Sequence, residues 1–476
     1  MAHQLSLTDG TTTISLADGS SCFIERYTPR APELAVTEGA AAASSSGGSG
    51  QPVDAVVYRN VTEAADLFLR ASTTALLQTL VRSIEAMLEK AHRRQRLGVG
   101  PRVFWQVQLD GEAAAYRSEI LTGRLVLDED GLSWWPNKAV RAMLSITRLP
   151  FFEGAETELQ LSTSNQAAAT GGRTIVNHDD AGTGDDNWVE IAAAQVAGSL
   201  PAPVRLELTN TSGAARTYST FYIATLAYVD LTALTAGMVL EGEASNGTVT
   251  ADANSSGGNY AARSYTASGD VTHTSAFTFN VTAAQVQQLA GRYCKILARC
   301  GMGPAPIWFT LYLQDSNNSE LWRGPELLVQ ETTGDYKIKD LGAAPLPPAD
   351  LGTGAATVWL VAQYRAVLAN GVTLTLNMDF VQLTPVEFLR VLRVAGSPTT
   401  QVANNAAVVL DEIEGVAYFL ASGARLAGLV RDGAPVMVVP GQAQRIMVLC
   451  DEGGNAVNIG RSLSVRAWYR PRRLTV

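Results

Sequence analysis

One stretch limits the fold more than any other. Residues 72–90, STTALLQTLVRSIEAMLEK, are the only long run in which apolar residues recur at helical spacing. Leu77, Leu80, Val81, Ile84, Met87 or Leu88, and Ala91 fall three or four apart and line one stripe. Arg82, Glu85, Glu89 and Lys90 fall on the other face. Ser72, Thr73 or Thr74 supplies a cap for the first amides, and Arg93, Arg94 and Arg96 follow the far end, where positive charge is favourable. Nearly everything else reads as short strands and turns. A lone amphipathic helix among strands belongs across one face of a sheet.

The chain, at 476 residues, is too long for a single core. Its periodicity divides it into three regions and a mainly β fold class. Residues 1–153 read as an N-terminal β domain with the helix packed on it, interrupted by the small, polar segment 39–51 (GAAAASSSGGSGQ), either a hairpin loop or a tether. Residues 154–390 hold many strand-length runs, such as RYCKILARC and IWFTLYLQD, separated by polar turns. They suggest a central jelly-roll-like β-sandwich, either one with an insertion or two smaller ones, with residues 242–258 as a loop system. Residues 391–476 read as a small C-terminal β-rich domain whose strands could instead complete the first domain's sheet.

Charge narrows the function classes. Only 17% of residues are charged and the net charge is -9, so a broad nucleic-acid-binding surface is not expected. Low charge suits a β-rich protein as well as subunits that bury much of their exterior against neighbours, and composition does not separate the two. The start MAHQLSLTDG has no basic segment leading an apolar core, and no run is long enough for a membrane span, so neither export nor insertion is expected. Cys22, Cys294, Cys300 and Cys450 read as buried thiols, with a Cys294–Cys300 disulfide as the alternative.

No local motif carries catalysis. His3, His92, His178 and His273 form no HxxxH or HExxH, the cysteines form no CxxC, and neither G-x-S-x-G nor a phosphate-cradling glycine loop occurs. The chain is therefore read as having no catalytic residues and no organic cofactor. Asp179, Asp180, Asp185 and Asp186, beside His178 in NHDDAGTGDDN, read first as an ordinary exposed β-turn, with Ca²⁺ ligation as the weaker alternative because their spacing is not that of an EF-hand. Trp188, Trp308, Trp322 and Trp359, with Tyr260 and Tyr265, are candidate glycan contacts, against the alternative that they fill a core. Trp105, Trp134 and Trp135 read as core or interface, and Pro29, Pro136 and Pro150 as segment ends.

Several stretches together resemble structural proteins of tailed bacteriophages, especially distal-tail and baseplate proteins. They are VTEAADLFLRASTTALLQTLVRSIEAMLEKA, RSEILTGRLVLDEDGLSWWPNKAVRAMLSITRLPFFEG, NWVEIAAAQVAGSLPAPVRLELTNTSG and the terminal VRAWYRPRRLTV. The resemblance implies a non-enzymatic virion tail subunit, assembled in the host cytoplasm. Residues 1–153 would form a ring, often hexameric, between tail tube and tail tip proteins, and the central sandwich would project outward. Region 391–476 departs from that pattern. Alternatives are a carbohydrate-binding host-recognition module facing a cell-surface glycan, and a capsid decoration protein.

Overall fold

The computed structural model describes residues 4–38, 53–109, 114–128, 138–177, 187–226, 239–252, 255–266, 271–281, 289, 292–302, 307–315, 319–329, 337–346, 358–367, 371–394, 400–452 and 463–475. Among the described residues strands dominate, with one long helix. Two compact units emerge. The first comprises 1–156, 198–200 and 470–476, and the second 157–197 and 201–469.

In the first unit, strands run in the order Thr13–Ser15, Gln4–Thr8, Phe104–Gln108, Tyr116–Leu127, Ala139–Arg148, Val61–Arg70, Cys22–Tyr27, all antiparallel neighbours. Alternation fixes their register: Val61, Ala65, Leu67 and Leu69 from one strand and Val140, Ala142, Leu144 and Ile146 from its partner turn inward. The helix spans Thr74–Leu97 and buries Leu77, Val81, Ile84, Met87, Leu88 and Ala91 in that same core. Thr73 caps it by accepting the Leu76 amide, and Gly98, in the left-handed region at φ 69°, ends it. The helix thus runs past residue 90, and Arg94 and Arg96 lie in its last turn instead of beyond it. Gly123 is what lets it approach: a Cβ there would lie 2.9 Å from Leu88 Cδ2.

The C-terminal segment returns to this unit. Arg472–Arg473 pairs with Phe152–Glu153, and Arg472 donates to Glu153 Oε1 from Nε (3.1 Å) and Nη2 (2.7 Å). Arg470 completes the cluster with Glu156 at 3.2 Å. Leu34–Glu38 and Val53–Tyr58 form a separate two-stranded ribbon, extended by the Arg59 amide donating to the Glu33 carbonyl at 2.9 Å. Among the described residues it pairs with no other strand. The 39–51 segment joining the two strands lies outside the described residues, as do Trp134, Trp135 and Pro136.

Among the described residues the second unit contains four larger sheets. Sheet II orders Thr157–Glu158, Leu463–Tyr469, Ala202–Asn210, Ala407–Asp411, Val416–Ala421 and Ala424–Leu426. Sheet III orders Trp188–Ile191, Gln444–Glu452, Arg216–Thr225, Leu389–Val394 and Leu429–Gly433. One core draws on both, with Val204, Leu206, Val408 and Val465 from sheet II and Phe221, Ile223, Leu392 and Val448 from sheet III. After Thr225 the chain builds two further sheets before re-entering sheet III at Leu389. Sheet IV orders Thr248–Ala251, Asn259–Thr266, Thr373–Pro385, Tyr293–Met302 and Lys337–Pro345, and sheet V orders Val271–Val281, Val358–Ala366, Ile307–Gln314 and Glu320–Arg323. They too share one core, including Phe277, Phe279, Ile296, Phe309 and Leu376.

These pairings correct two expectations. Residues 391–476 are not a separate domain, because their strands alternate with those of 202–225 in sheets II and III, while the last residues join the first unit. The interval 242–258 is not loop throughout: Thr248–Ala251 is an edge strand of sheet IV. All four cysteines are free and buried.

Candidate functional site

The sequence-derived candidates fall in different places. His178 and the proposed Ca²⁺ ligands Asp179, Asp180, Asp185 and Asp186 lie outside the described residues, and so does His3. The flanking strands Arg173–Ile175 and Trp188–Ile191 pair with Leu463–Tyr469 in sheet II and Gln444–Glu452 in sheet III, so the acidic segment connects two sheets. Among the described residues, no group of three His, Cys, Asp or Glu side chains could hold a metal ion, and no helix is long and apolar enough to cross a membrane.

The tryptophans do not converge. Trp188 stands under the Arg445 guanidinium, 3.9 Å from its ring centre, and packs against the core shared by sheets IV and V. Trp322 also packs against that core. Trp359 pairs in register with Gln314 and Asn280. In Ile307–Gln314, Trp308 shares a parity with Thr310, Tyr312 and Gln314, of which Thr310 is buried, while Ile307, Phe309, Leu311 and Leu313 are core. Arg365, directly across from Trp308, stacks 4.0 Å from its ring centre and is held by Glu326 through Nε (2.9 Å) and Nη2 (3.0 Å). Arg323, across from Tyr312, stacks at 4.8 Å, is held by Glu320, and donates to Gln363 Oε1 at 2.9 Å. Tyr265 instead packs on Tyr364, centroids 4.6 Å apart, and donates to the Ser275 carbonyl.

Two ion pairs among the described residues are deeply buried on both sides. In the first unit, Arg148 Nη2 donates to Glu63 Oε1 at 2.6 Å, with side chains 0% and 1% exposed. Glu63 also accepts from the Tyr27 hydroxyl (2.8 Å) and the Arg30 amide (3.1 Å), and Arg148 donates to the carbonyls of Leu149 and Arg30. Burial and the Glu63 charge push the Tyr27 hydroxyl well up. In sheet IV, Arg299 donates to Asp379, which also accepts the Ser256 amide at 2.8 Å. Burial raises the Asp379 carboxyl to about 6 against the opposing pull of Arg299. A register shift between Arg299 and Cys300 leaves Asp379 without a strand partner opposite it, and this bulge aims its side chain. Each charge in these pairs is neutralised within the fold, which makes the pairs structural in character. A groove of about 710 Å³ beside the start of the helix is lined by Ser20, Ser21, Arg70, Leu76, Thr79 and Ser83 and presents no carboxylate or thiol.

No family model matches the chain, and no curated protein does. Among solved structures it is similar to the SPP1 Dit (gp 19.1) protein, described as a paradigm of the hub adsorption apparatus in Gram-positive infecting phages, with 7% identity over 99% of each chain and a TM-score of 0.35. It is similar to a chain of the phage P2 baseplate in its activated conformation with Ca, at 8% identity, 80% of this chain, 98% of that chain and a TM-score of 0.28. A chain of the phage p2 baseplate with Sr gives 7% identity, 79% and 98% coverage, and a TM-score of 0.24.

Proposed function

We propose that the chain is a non-enzymatic structural subunit of a bacteriophage tail, at the distal tail or baseplate, which assembles with copies of itself into a ring. The ring is hexameric in this reading, with tail tube and tail tip proteins as its neighbours and the virion tail as its location. The sequence resemblance supplies the class, and the ribbon of Leu34–Glu38 and Val53–Tyr58 is the observation that carries assembly. A two-stranded ribbon is marginal by itself in water. Its base exposes Leu34 at 53% and Tyr58 at 37%, so a neighbouring copy is the natural cover. Charge supports the same division of labour. The first unit carries as many acidic as basic residues, so the net charge of -9 rests on the second. A neutral unit packs against copies of itself without repulsion, while an acidic one faces solvent.

In this reading the sheet pairs II/III and IV/V are two β-sandwiches, the second a jelly-roll-like insertion into the first, carried outside the ring. Native mass spectrometry of the full chain tests the proposal. The chain should form a closed oligomer that a Leu34→Asp, Tyr58→Asp variant reduces to monomer. A wild-type chain that stays monomeric at every concentration would contradict it.

A further inference from the structure

We infer that sheets IV and V are locked to sheet III, so that the two sandwiches of the second unit move as one block and the insertion does not swing on its connections. The lock lies wholly within the second unit and does not depend on assembly.

A strand on the outside of a sandwich alternates between buried and open residues, whereas a strand covered on both faces is buried throughout. In sheet III, Ile446, Met447, Val448, Leu449 and Cys450 are all buried. Ile446, Val448 and Cys450 fill the core shared with sheet II, so Met447 and Leu449 point away from it. In sheet IV, every residue of 378–385 is buried. There Val381 and Leu383 fill the core shared with sheet V, so Phe380 and Gln382 point away. These two averted faces meet: Leu449 and Tyr222 of sheet III pack with Leu297, Ile338 and Phe380 of sheet IV in one apolar cluster. Sheets III and IV are thus the inner layers of a four-layer stack.

Polar groups key the seam. Asn187 Nδ2 donates to Gln382 Oε1 at 2.8 Å, and both residues are buried. The Asn187 carbonyl accepts the Val448 amide at 2.7 Å, which holds that donor on sheet III. Asp451 of sheet III accepts from the Ser219 hydroxyl at 2.7 Å, and Lys337 and Lys339 of sheet IV supply its opposing charge. Directional bonds of this kind hold one angle between the sheets, where apolar contact alone lets them slide. The connections by themselves do not fix that angle. The chain leaves sheet III after Thr225 and re-enters it at Leu389, the cross-strand partner of Ala224, so both connections start from one corner. Tethers rooted at one corner permit a pivot, and linked sandwiches move relative to each other unless a well-packed apolar interface stops them. The seam supplies that interface.

Double electron–electron resonance on the full chain tests the lock. One pair of spin labels sits at Ala424→Cys in sheet II and Leu328→Cys in sheet V, across the seam. A control pair at Val249→Cys and Leu328→Cys sits within the second sandwich. All three positions are exposed and the four native cysteines are buried, so the introduced thiols take the label. With the native seam, the cross pair should give a distance distribution as narrow as the control, whereas a pivoting insertion spreads it by about 10 Å or more, the depth of one layer. Leu449→Asp, which puts a charge in the seam, should broaden the cross pair and leave the control narrow. Gln382→Ala, which removes the acceptor of Asn187, should broaden the cross pair to a smaller extent. The lock is overturned if the cross pair is broader than the control with the native seam intact, or if both variants keep it as narrow as the native seam does. A Leu449→Asp chain whose control pair also broadens has lost the second sandwich itself, and Gln382→Ala then decides alone.

Discussion

Removing one partner of the Glu63–Arg148 pair should destabilise the first unit more than removing both. Glu63→Leu leaves the Arg148 guanidinium with 0% exposure and no counter-charge, and it strips the Tyr27 hydroxyl and the Arg30 amide of their acceptor. Breaking a buried pair in this way costs about 3–5 kcal/mol, because the remaining charge stays desolvated. Arg148→Met strands the Glu63 carboxylate and should cost a similar amount, partly offset by the two hydrogen bonds that carboxylate keeps. The double variant removes both charges, and its methionine can still lie against Phe152, whose ring centre is 4.2 Å from the Arg148 guanidinium carbon. The Tyr27 hydroxyl and Arg30 amide still lack their acceptor there, so the double variant should cost up to about 3 kcal/mol, less than the sum of the single variants by a coupling energy of at least about 3 kcal/mol. Urea unfolding followed by tryptophan fluorescence measures the cycle. Trp105 reports on the site directly, since its indole N–H donates to Tyr27 at 3.2 Å. Hydrogen exchange at the Arg30 amide gives a local check, because that amide loses protection in Glu63→Leu. Single variants that cost under about 1 kcal/mol each, or a double variant equal to their sum, would refute the reasoning.

Two further outcomes follow from the packing. Gly123→Val places a side chain where even a Cβ meets Leu88 at 2.9 Å and Ile146 at 3.1 Å, so it should cost about 1–3 kcal/mol in melting or urea experiments, and Leu88→Ala in the same chain should recover part of that loss. For Asp379, burial raises the folded carboxyl to about 6, above its unfolded value, so the native state holds the extra proton between the two. Stability of the second unit should therefore fall by up to about 3 kcal/mol as pH rises from about 4 to about 6, and Asp379→Asn should flatten that fall when urea midpoints are compared across pH.

How much of this was legible in the sequence depended on whether the signal was local. The helix stripe was readable because six of its residues repeat at one spacing, but its last turns, AHRRQRL, are polar and hide the end. Gly98 was the available stop sign. The two ion-paired residues were also readable in principle. Glu63 and Arg148 each occupy an inward position in an otherwise apolar alternation, VTEAADLFLR and AVRAMLSITR, and a charge on that parity must find a partner inside. What could not be read was which strands pair. Ala202–Asn210 takes Ala407–Asp411 and Leu463–Tyr469 as neighbours from about two hundred residues away, and no local pattern specifies that choice. For this reason 391–476 looked separate. The same limit applies to sheet V: Trp308 was visible as an aromatic residue, but its stacking on Arg365 and its company with Tyr312 and Gln363 exist only once the sheet is assembled.

Assembly at the tail is the central claim, and locating the chain within an intact particle by cryo-electron microscopy tests it most directly. The expected result is a closed ring of this chain at the junction of tail tube and tip, with the ribbon of Leu34–Glu38 and Val53–Tyr58 in each copy lying on its neighbour. Density on the head, or a particle that lacks the chain altogether, would contradict it.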